Sequence, residues 1–166
     1  MPDPDNLSEF DTLAFRRALG MFATGITVVT ALDHEGKPIG LTINSFSSIS
    51  LTPPIVAWSL ARHLPLLPDF ERCERYAINV LASHQQPLSK RFASRANDKF
   101  DELEITEGLG GVPLLPGCLA WFECHNGIRY DGGDHLIFLG QVERFRQGEG
   151  EALIYYGGRY RYLSVE

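Results

Sequence analysis

Cysteine is scarce in this sequence, and its few copies are poorly spaced for a disulfide framework or a metal site. The 166 residues include only Cys73, Cys118 and Cys124, with no C-x-x-C pair. Such a set argues against a secreted disulfide scaffold and against a structural zinc site. We therefore expect free thiols and a reducing compartment, the cytoplasm.

An excess of positive charge and a long apolar run are also missing. Fifteen Lys and Arg stand against 21 Asp and Glu, a formal net charge of −6, which argues against nucleic acid or an anionic membrane as a partner. The longest nearly apolar stretch, residues 20–32, is 13 residues long and contains three threonines. It is shorter than the ~20 residues of a membrane span. The acidic, proline-containing N-terminus does not predict a signal peptide.

What is present is an ordinary globular composition, with 44% hydrophobic and 22% charged residues. The length suits a single domain, and no repeat or linker divides it. We predict an N-terminal tail over residues 1–11 and one domain over residues 12–166.

Short strands dominate the predicted secondary structure. A helix is predicted after a cap at Asp11 or Thr12, and two more over residues 68–75 and 87–96. Strands are predicted over residues 26–32, 38–46, 55–60, 76–82, 118–130, 136–145, 152–156 and 160–164. Because the strands do not alternate regularly with helices, the pattern favours a mainly β, antiparallel barrel over a βαβ sheet.

Common catalytic signatures are absent. There is no G-x-G-x-x-G after a strand, no phosphate loop, no H-E-x-x-H and no G-x-S-x-G. Cys124 and His125 are adjacent in a predicted strand and therefore point to opposite faces, which disfavours a shared metal. We predict a core cysteine and a surface histidine.

The segment from Thr42 to Pro54 is rich in hydroxyl groups and carries no charge. Ser, Thr and Asn on a strand that breaks into a loop supply short donors for a phosphate or a polar ring edge. An ordinary edge strand with Ser and Thr turn motifs fits the same residues.

A second segment, residues 87–100, is basic in an otherwise acidic protein. It contains Lys90, Arg91, Arg95 and Lys99 against a single Asp98. On one helix Arg91 and Arg95 would share a face and could meet a phosphate. A solvated face paired with nearby carboxylates is the alternative.

Two further candidates lie in turns near the C-terminal end. His135 follows Gly133 and Asp134, where an imidazole can hydrogen-bond a ligand or simply complete a turn. The Gly157–Gly158 pair before Arg159 lets a backbone approach a ligand closely or makes a tight turn.

Taken in order, these segments resemble the flavin reductase-like family, the FMN-binding split barrels that include the reductase components of two-component flavin monooxygenases. The segments that carry the resemblance are FRRALGMFATGITVVT at 15–30, TINSFSSISLTPP at 42–54, AINVLA at 77–82, LSKRFA at 88–93 and GGDHLIFLG at 132–140.

The resemblance implies an antiparallel Greek-key split β-barrel with a few short peripheral helices, acting as a homodimer. It implies FMN or FAD in a groove near the subunit boundary, NADH or NADPH as hydride donor, and a flavin-dependent monooxygenase as partner. The residues that would line the flavin are Leu41, Thr42, Ile43, Asn44, Ser45, Ser47 and Ser48. Ser94 and Arg95 would lie near its phosphate or adenylate end, while His135, Arg159 and Tyr160 would meet the nicotinamide nucleotide.

This chain departs from the family after the predicted strand at residues 55–60. The family commonly has a polar Ser-x-Thr-like element there, whereas this chain has Ala-Arg-His-Leu-Pro at 61–65. Arg62 or His63 would then replace hydroxyl contacts with charge in holding the cofactor.

The function implied is an NAD(P)H:flavin oxidoreductase that supplies reduced flavin to a separate oxygenase. The absence of a catalytic triad agrees, because hydride transfer is chemistry of the cofactors. Two alternatives stay open: a flavoprotein that retains FMN and acts on its own substrate, and a non-enzymatic flavin-binding protein.

Overall fold

The computed structural model describes residues 10–164, and this part of the chain contains three α-helices and twelve strands. The helices are α1 (Thr12–Leu19), α2 (Leu67–Arg72) and α3 (Gln86–Ala93). The strands are β1 (Thr24–Gly25), β2 (Thr27–Leu32), β3 (Pro38–Ile43), β4 (Ser47–Leu51), β5 (Pro54–Ala61), β6 (Arg75–Val80), β7 (Thr106–Glu107), β8 (Pro113–Leu114), β9 (Ala120–Gly132), β10 (His135–Gln147), β11 (Ile154–Tyr156) and β12 (Arg159–Arg161). Most of the predicted tail lies outside the described residues.

A seven-stranded antiparallel sheet forms the body of the protein. Its strand order is β3-β2-β6-β9-β10-β5-β4, so β3 and β4 are its two edges. A three-stranded sheet, β1-β11-β12, and the two-stranded pair β7-β8 complete the strands. The mainly β, antiparallel prediction is confirmed.

Two apolar cores lie on the two sides of the large sheet. In the first, the ring of Trp58 stacks on Phe138 at 4.4 Å and meets Phe70 and Tyr76 edge-on, each at 5.3 Å. The second core joins the sheet to α3 and to β11, and Phe92 is among its buried residues. Strands β2 and β6 are buried on both faces, which explains their nearly continuous apolar sequences.

The local sequence signals for the helix starts and for the alternation in β9 are confirmed. The Asp11 side chain accepts a hydrogen bond from the Ala14 N–H at 2.9 Å, as an N-cap does. Pro68 and Pro87 lie in the first turns of α2 and α3, where the missing N–H has no intrahelical partner to lose. Cys124 is fully buried and His125 is exposed, as their alternation in β9 predicted.

The hydroxyl-rich segment differs from its prediction. The strand predicted over residues 38–46 ends at Ile43, and a separate strand, β4, begins at Ser47. Strand β4 pairs with β5 alone and has an irregularity between Ser48 and Ser50. The segment therefore comprises the end of β3, a short connection and the edge strand β4, which agrees with the alternative interpretation of an edge strand.

Candidate functional site

A cleft of about 580 Å³ opens between β3, the segment that follows β5 and the segment that follows α3. Five of the residues proposed from the sequence line it: Leu41, Thr42, His63, Ser94 and Arg95. Strand β3 supplies the first two residues and the end of β5 leads to the third, so residues distant in sequence meet here. The folded chain thus brings the two phosphate-binding candidates, Ser94 and Arg95, to the same cleft as the hydroxyl-rich strand.

The cleft carries positive charge in an acidic protein. Arg95 and Lys99 both line it. The Lys99 ammonium donates to the carbonyl oxygens of Phe92, at 3.3 Å, and Gly40, at 3.5 Å, so it joins α3 to β3. Burial lowers the pKa of Lys99 from its ordinary value. An anionic group such as a phosphate would find compensating charge here.

Arg91 and Arg95 do not share a helix face, contrary to the sequence-based prediction. Helix α3 ends at Ala93, because the Ser94 hydroxyl donates to the Arg91 carbonyl at 2.7 Å and caps the last turn. The Arg91 guanidinium instead donates to the Asp101 carbonyl at 3.1 Å, away from the cleft. Of this pair, Arg95 lines the large cleft, whereas Arg91 lines a separate pocket of about 320 Å³ that is otherwise acidic, with Asp98, Asp101 and Glu102.

A smaller cleft of about 240 Å³ lies beside the first and shares Thr42 and Ala93 with it. Ile43, Asn44 and Tyr160 line this second cleft. Hydrogen bonds fix its wall: the Thr42 hydroxyl donates to the Ser89 carbonyl at 2.7 Å, and the Ser89 and Tyr160 hydroxyls lie 2.9 Å apart.

The register of the sheet brings Ser47 and His135 to one face of β5. Ser47 lies opposite Ala57 and His135 lies opposite Ala61, and directly opposed residues share a face. Ala57, Ser59 and Ala61 form this face, while the alternate residues of β5 are buried in the core. Four strand residues span about 13 Å. The small side chains leave a flat strip of this length along β5, bordered on β10 by Ile137 and Leu139, and a planar ring suits it.

Ser45 and Ser48 have different positions from Ser47. The Ser45 hydroxyl accepts a hydrogen bond from the Ser59 N–H at 3.0 Å, which ties the β3–β4 connection to β5. Ser48 lies opposite Val56, so its side chain is directed away from the flat face of β5. At most one of the two adjacent serines, Ser47 and Ser48, can therefore present its hydroxyl to a ligand on that face.

His135 begins β10 after a turn in which Gly133 has a φ of +68°, a conformation that favours glycine. Its Nδ1 lies 2.7 Å from a carboxylate oxygen of Asp134. That hydrogen bond, together with the nearby imidazole charge, lowers the pKa of Asp134. The ionised carboxylate only accepts, so Nδ1 carries the proton and Nε2 is left for another partner.

Arg62 and Arg159 line neither cleft. The Arg62 guanidinium donates to the Gly133 carbonyl at 3.1 Å and to the Asp131 carboxylate. Arg159 is exposed at the start of β12, next to Tyr160.

Sequence reasoning missed Ser59 and the small-residue face, although the alternation Ala57-x-Ser59-x-Ala61 was available as a signal.

Two negative findings apply to residues 10–164. No group of three or more His, Cys, Asp or Glu side chains is arranged to hold a metal ion. No helix in this range has the length and apolar character needed to cross a membrane.

Comparisons with known proteins identify relatives that are named as flavin reductases. The chain is 46% identical over 151 residues to the FMN reductase (NADH) SmoA of Agrobacterium fabrum, covering 91% of this chain and 86% of that protein. It is 38% identical over 158 residues to the reductase component of the flavin-dependent trigonelline monooxygenase of Acinetobacter baylyi. That alignment covers 93% of this chain and 51% of the relative, so the chain spans about half of that relative's length.

A solved structure of a flavin-reducing enzyme is also similar to this chain. The NADH:FAD oxidoreductase SgcE6 of Streptomyces globisporus C-1027, in complex with NAD and FAD fragments, matches with a TM-score of 0.88 at 34% identity. This match covers 99% of the present chain and 96% of that chain. The family described as flavin reductase like domain matches residues 19–164. The chain belongs to that family.

Proposed function

We propose that this protein is an NAD(P)H:flavin oxidoreductase that reduces FMN or FAD and supplies the reduced flavin to a partner monooxygenase. The observation that carries the proposal is the flat face of β5 between Ser47 and His135, together with a cleft that contains Arg95 and Lys99 and is lined by His63, two residues beyond β5. A planar ring fits the face, and a phosphate fits the cleft. The names of the relatives from Agrobacterium and Acinetobacter support both the reaction and the kind of partner.

The two regions would hold different parts of the flavin. The phosphate or adenylate end would lie in the large cleft, against Ser94, Arg95 and His63. The ring would be bordered by residues of β3, β4 and their connection: Leu41, Thr42, Ile43, Asn44, Ser45, Ser47 and Ser48. Ser48 would contribute through its main chain, since its side chain is directed to the other face. Arg62 is left out of this contact set, because its guanidinium is bound to the β9–β10 turn.

The nicotinamide nucleotide would be met by His135 through its free Nε2. Arg159 and Tyr160 would meet a second part of the same nucleotide at the smaller cleft. A bound flavin supplies the ring that accepts the hydride, and NADH or NADPH supplies the hydride. The protein's own contribution is to bind and orient both nucleotides and to exclude water from between them.

The finer architecture is part of the proposal. The two hydrogen bonds between the Ser45 hydroxyl and the Ser59 main chain, at 3.0 and 3.3 Å, draw the two ends of the large sheet together and support a split Greek-key barrel. Cys73, Cys118 and Cys124 are unpaired, which supports a reducing compartment such as the cytoplasm.

A homodimer is expected, because large apolar side chains are exposed on several elements, including α1, β4 and the β9–β10 hairpin. Helix α1 buries none of its residues, and Phe22, just after it, is 79% exposed. On β4, Leu51 is 92% exposed. Surfaces of this kind mark protein interfaces. Sedimentation should give about twice the 18.5 kDa chain mass, and a fully active monomer at nanomolar concentration would refute the dimer.

The decisive experiment is an anaerobic titration of the protein with flavin and with each nicotinamide donor, followed at the oxidised flavin absorbance band. Loss of that band on adding NADH or NADPH, with turnover on added free flavin, is the expected result. Flavin that stays bound through purification and many turnovers would instead indicate a flavoprotein with its own substrate. Bound flavin that neither donor bleaches would indicate a non-enzymatic flavin-binding protein.

A further inference from the structure

The sheet supports the two strands that meet at the turn before His135 unequally. Strand β6 pairs with β9 from Ala120 to His125. Beyond that region the main-chain N–H of Asn126 donates to the Glu74 carbonyl, and residues 129–132 pair only with β10. This end of β9 is exposed, whereas β10 alternates buried and half-buried residues and pairs with β5 as far as His135. The end of β9 and the turn therefore depend on contacts at the turn, while β5 holds the main chain of His135.

Arg62 supplies those contacts from the end of β5. Its main-chain N–H donates to the Asp134 carbonyl at 2.9 Å, which continues the β5–β10 pairing by one bond. Its guanidinium Nε donates to the Gly133 carbonyl at 3.1 Å, and Nη2 donates to the Asp131 carboxylate. One side chain thus binds both sides of the turn that precedes His135.

We propose that Arg62 is a positioning residue that holds the β9–β10 turn and, through Asp134, orients the His135 ring toward the nicotinamide nucleotide. The inference rests on the proposed function, because it needs His135 to meet that nucleotide. The Asp134 carbonyl is bound by the Arg62 main chain, and the Asp134 carboxylate is bound to the His135 ring. A shift of the turn would therefore change the orientation of the imidazole, although the main chain of His135 stays paired with Ala61.

The geometry of the contact requires arginine. A guanidinium has donors fixed in one plane, so it can bind a carbonyl and a carboxylate together, whereas an ammonium is a point charge on a flexible stem. The pair is exposed, with 42% of the Arg62 side chain and 89% of the Asp131 side chain accessible. Exposed pairs add little to global stability. Removal of Arg62 should therefore affect the turn much more than the fold.

The first test is independent of catalysis. Hydrogen exchange of the amides of residues 127–134 should become about three- to fivefold faster in Arg62→Met, with an unchanged melting temperature. Asp131→Asn removes the charge of the other partner but keeps an acceptor oxygen, so it should give a smaller change in the same amides. Unchanged exchange in both variants would show that Arg62 does not hold the turn, and would overturn the proposal whatever the protein's activity.

The second test is kinetic. Arg62→Met should raise KM for the nicotinamide donor about three- to tenfold, with flavin Kd unchanged. Arg62→Lys should not restore the donor KM, because lysine keeps the positive charge but lacks the planar set of donors that binds the carbonyl and the carboxylate together. In a His135→Ala background, Arg62→Met should change the donor KM less than about twofold, since the residue it positions is gone.

The same variants distinguish a positioning role for Arg62 from direct contact with either nucleotide. If the two substitutions act additively, or if Arg62→Lys restores KM, Arg62 contacts the nicotinamide nucleotide itself and the proposal is wrong. A rise in flavin Kd would place Arg62 in the flavin site and would equally overturn it. If the wild-type protein does not reduce flavin but the exchange result holds, the proposed function is wrong, while the role of Arg62 in holding the turn is confirmed.

Discussion

Replacing His135 with alanine is expected to lower kcat/KM for the nicotinamide donor by about ten- to a hundredfold, which corresponds to about 1.4 to 2.7 kcal/mol. The ring is held by Asp134 at 2.7 Å, so its Nε2 is preorganised for a partner. Loss of one such contact slows turnover without abolishing it, because hydride transfer needs no protein base. Flavin affinity should barely change, since the residues proposed to hold the flavin lie on other strands.

The competing role of His135 is that of a simple turn residue. That role predicts a lower melting temperature with normal kinetics, so the melting temperature, flavin Kd and donor kinetics should be measured on the same variant. His125→Ala is a matched control, because His125 is an exposed imidazole on the same hairpin, opposite Gln141. If His135→Ala keeps the wild-type KM and rate, His135 does not belong to the site.

Local sequence signals predicted the elements well. The cap at Asp11 and the prolines of α2 and α3 act over one helical turn, so their neighbours in sequence determine them. The alternation in β9 likewise placed Cys124 inside and His125 outside. The resemblance to a family was confirmed by the comparisons.

Features that depend on distant residues were not predictable in this way. Whether Arg91 and Arg95 share a face depends on where α3 ends, and the Ser94 cap ends it between them. The hydrogen-bond partners of Arg62 depend on the position of the β9–β10 turn, about seventy residues away in sequence. Adjacent Ser47 and Ser48 looked equivalent, and only their pairing with Ala57 and Val56 separates them.

The opposite orientation of the Ser47 and Ser48 side chains leads to the prediction with the clearest internal control. Ser47→Asp should weaken flavin binding more than tenfold, a loss above about 1.4 kcal/mol. Ser47 lies on the flat face of β5, and a carboxylate there would repel the carbonyl oxygens at the polar edge of the flavin ring. Ser47→Ala should cost less, because it removes one neutral hydrogen bond without adding a charge.

Ser48→Asp provides the control, since it adds the same charge one residue away on the same exposed edge strand. Its side chain is directed to the other face, so its effect on flavin Kd should be clearly smaller than that of Ser47→Asp. Both positions are exposed, so both variants should fold, and circular dichroism checks this before titration with FMN and FAD. Equal losses at the two positions would mean that the charge acts without regard to face. Unchanged affinity in a folded Ser47→Asp variant would remove Ser47 from the flavin site and, with it, the assignment of the flavin ring to this face of β5.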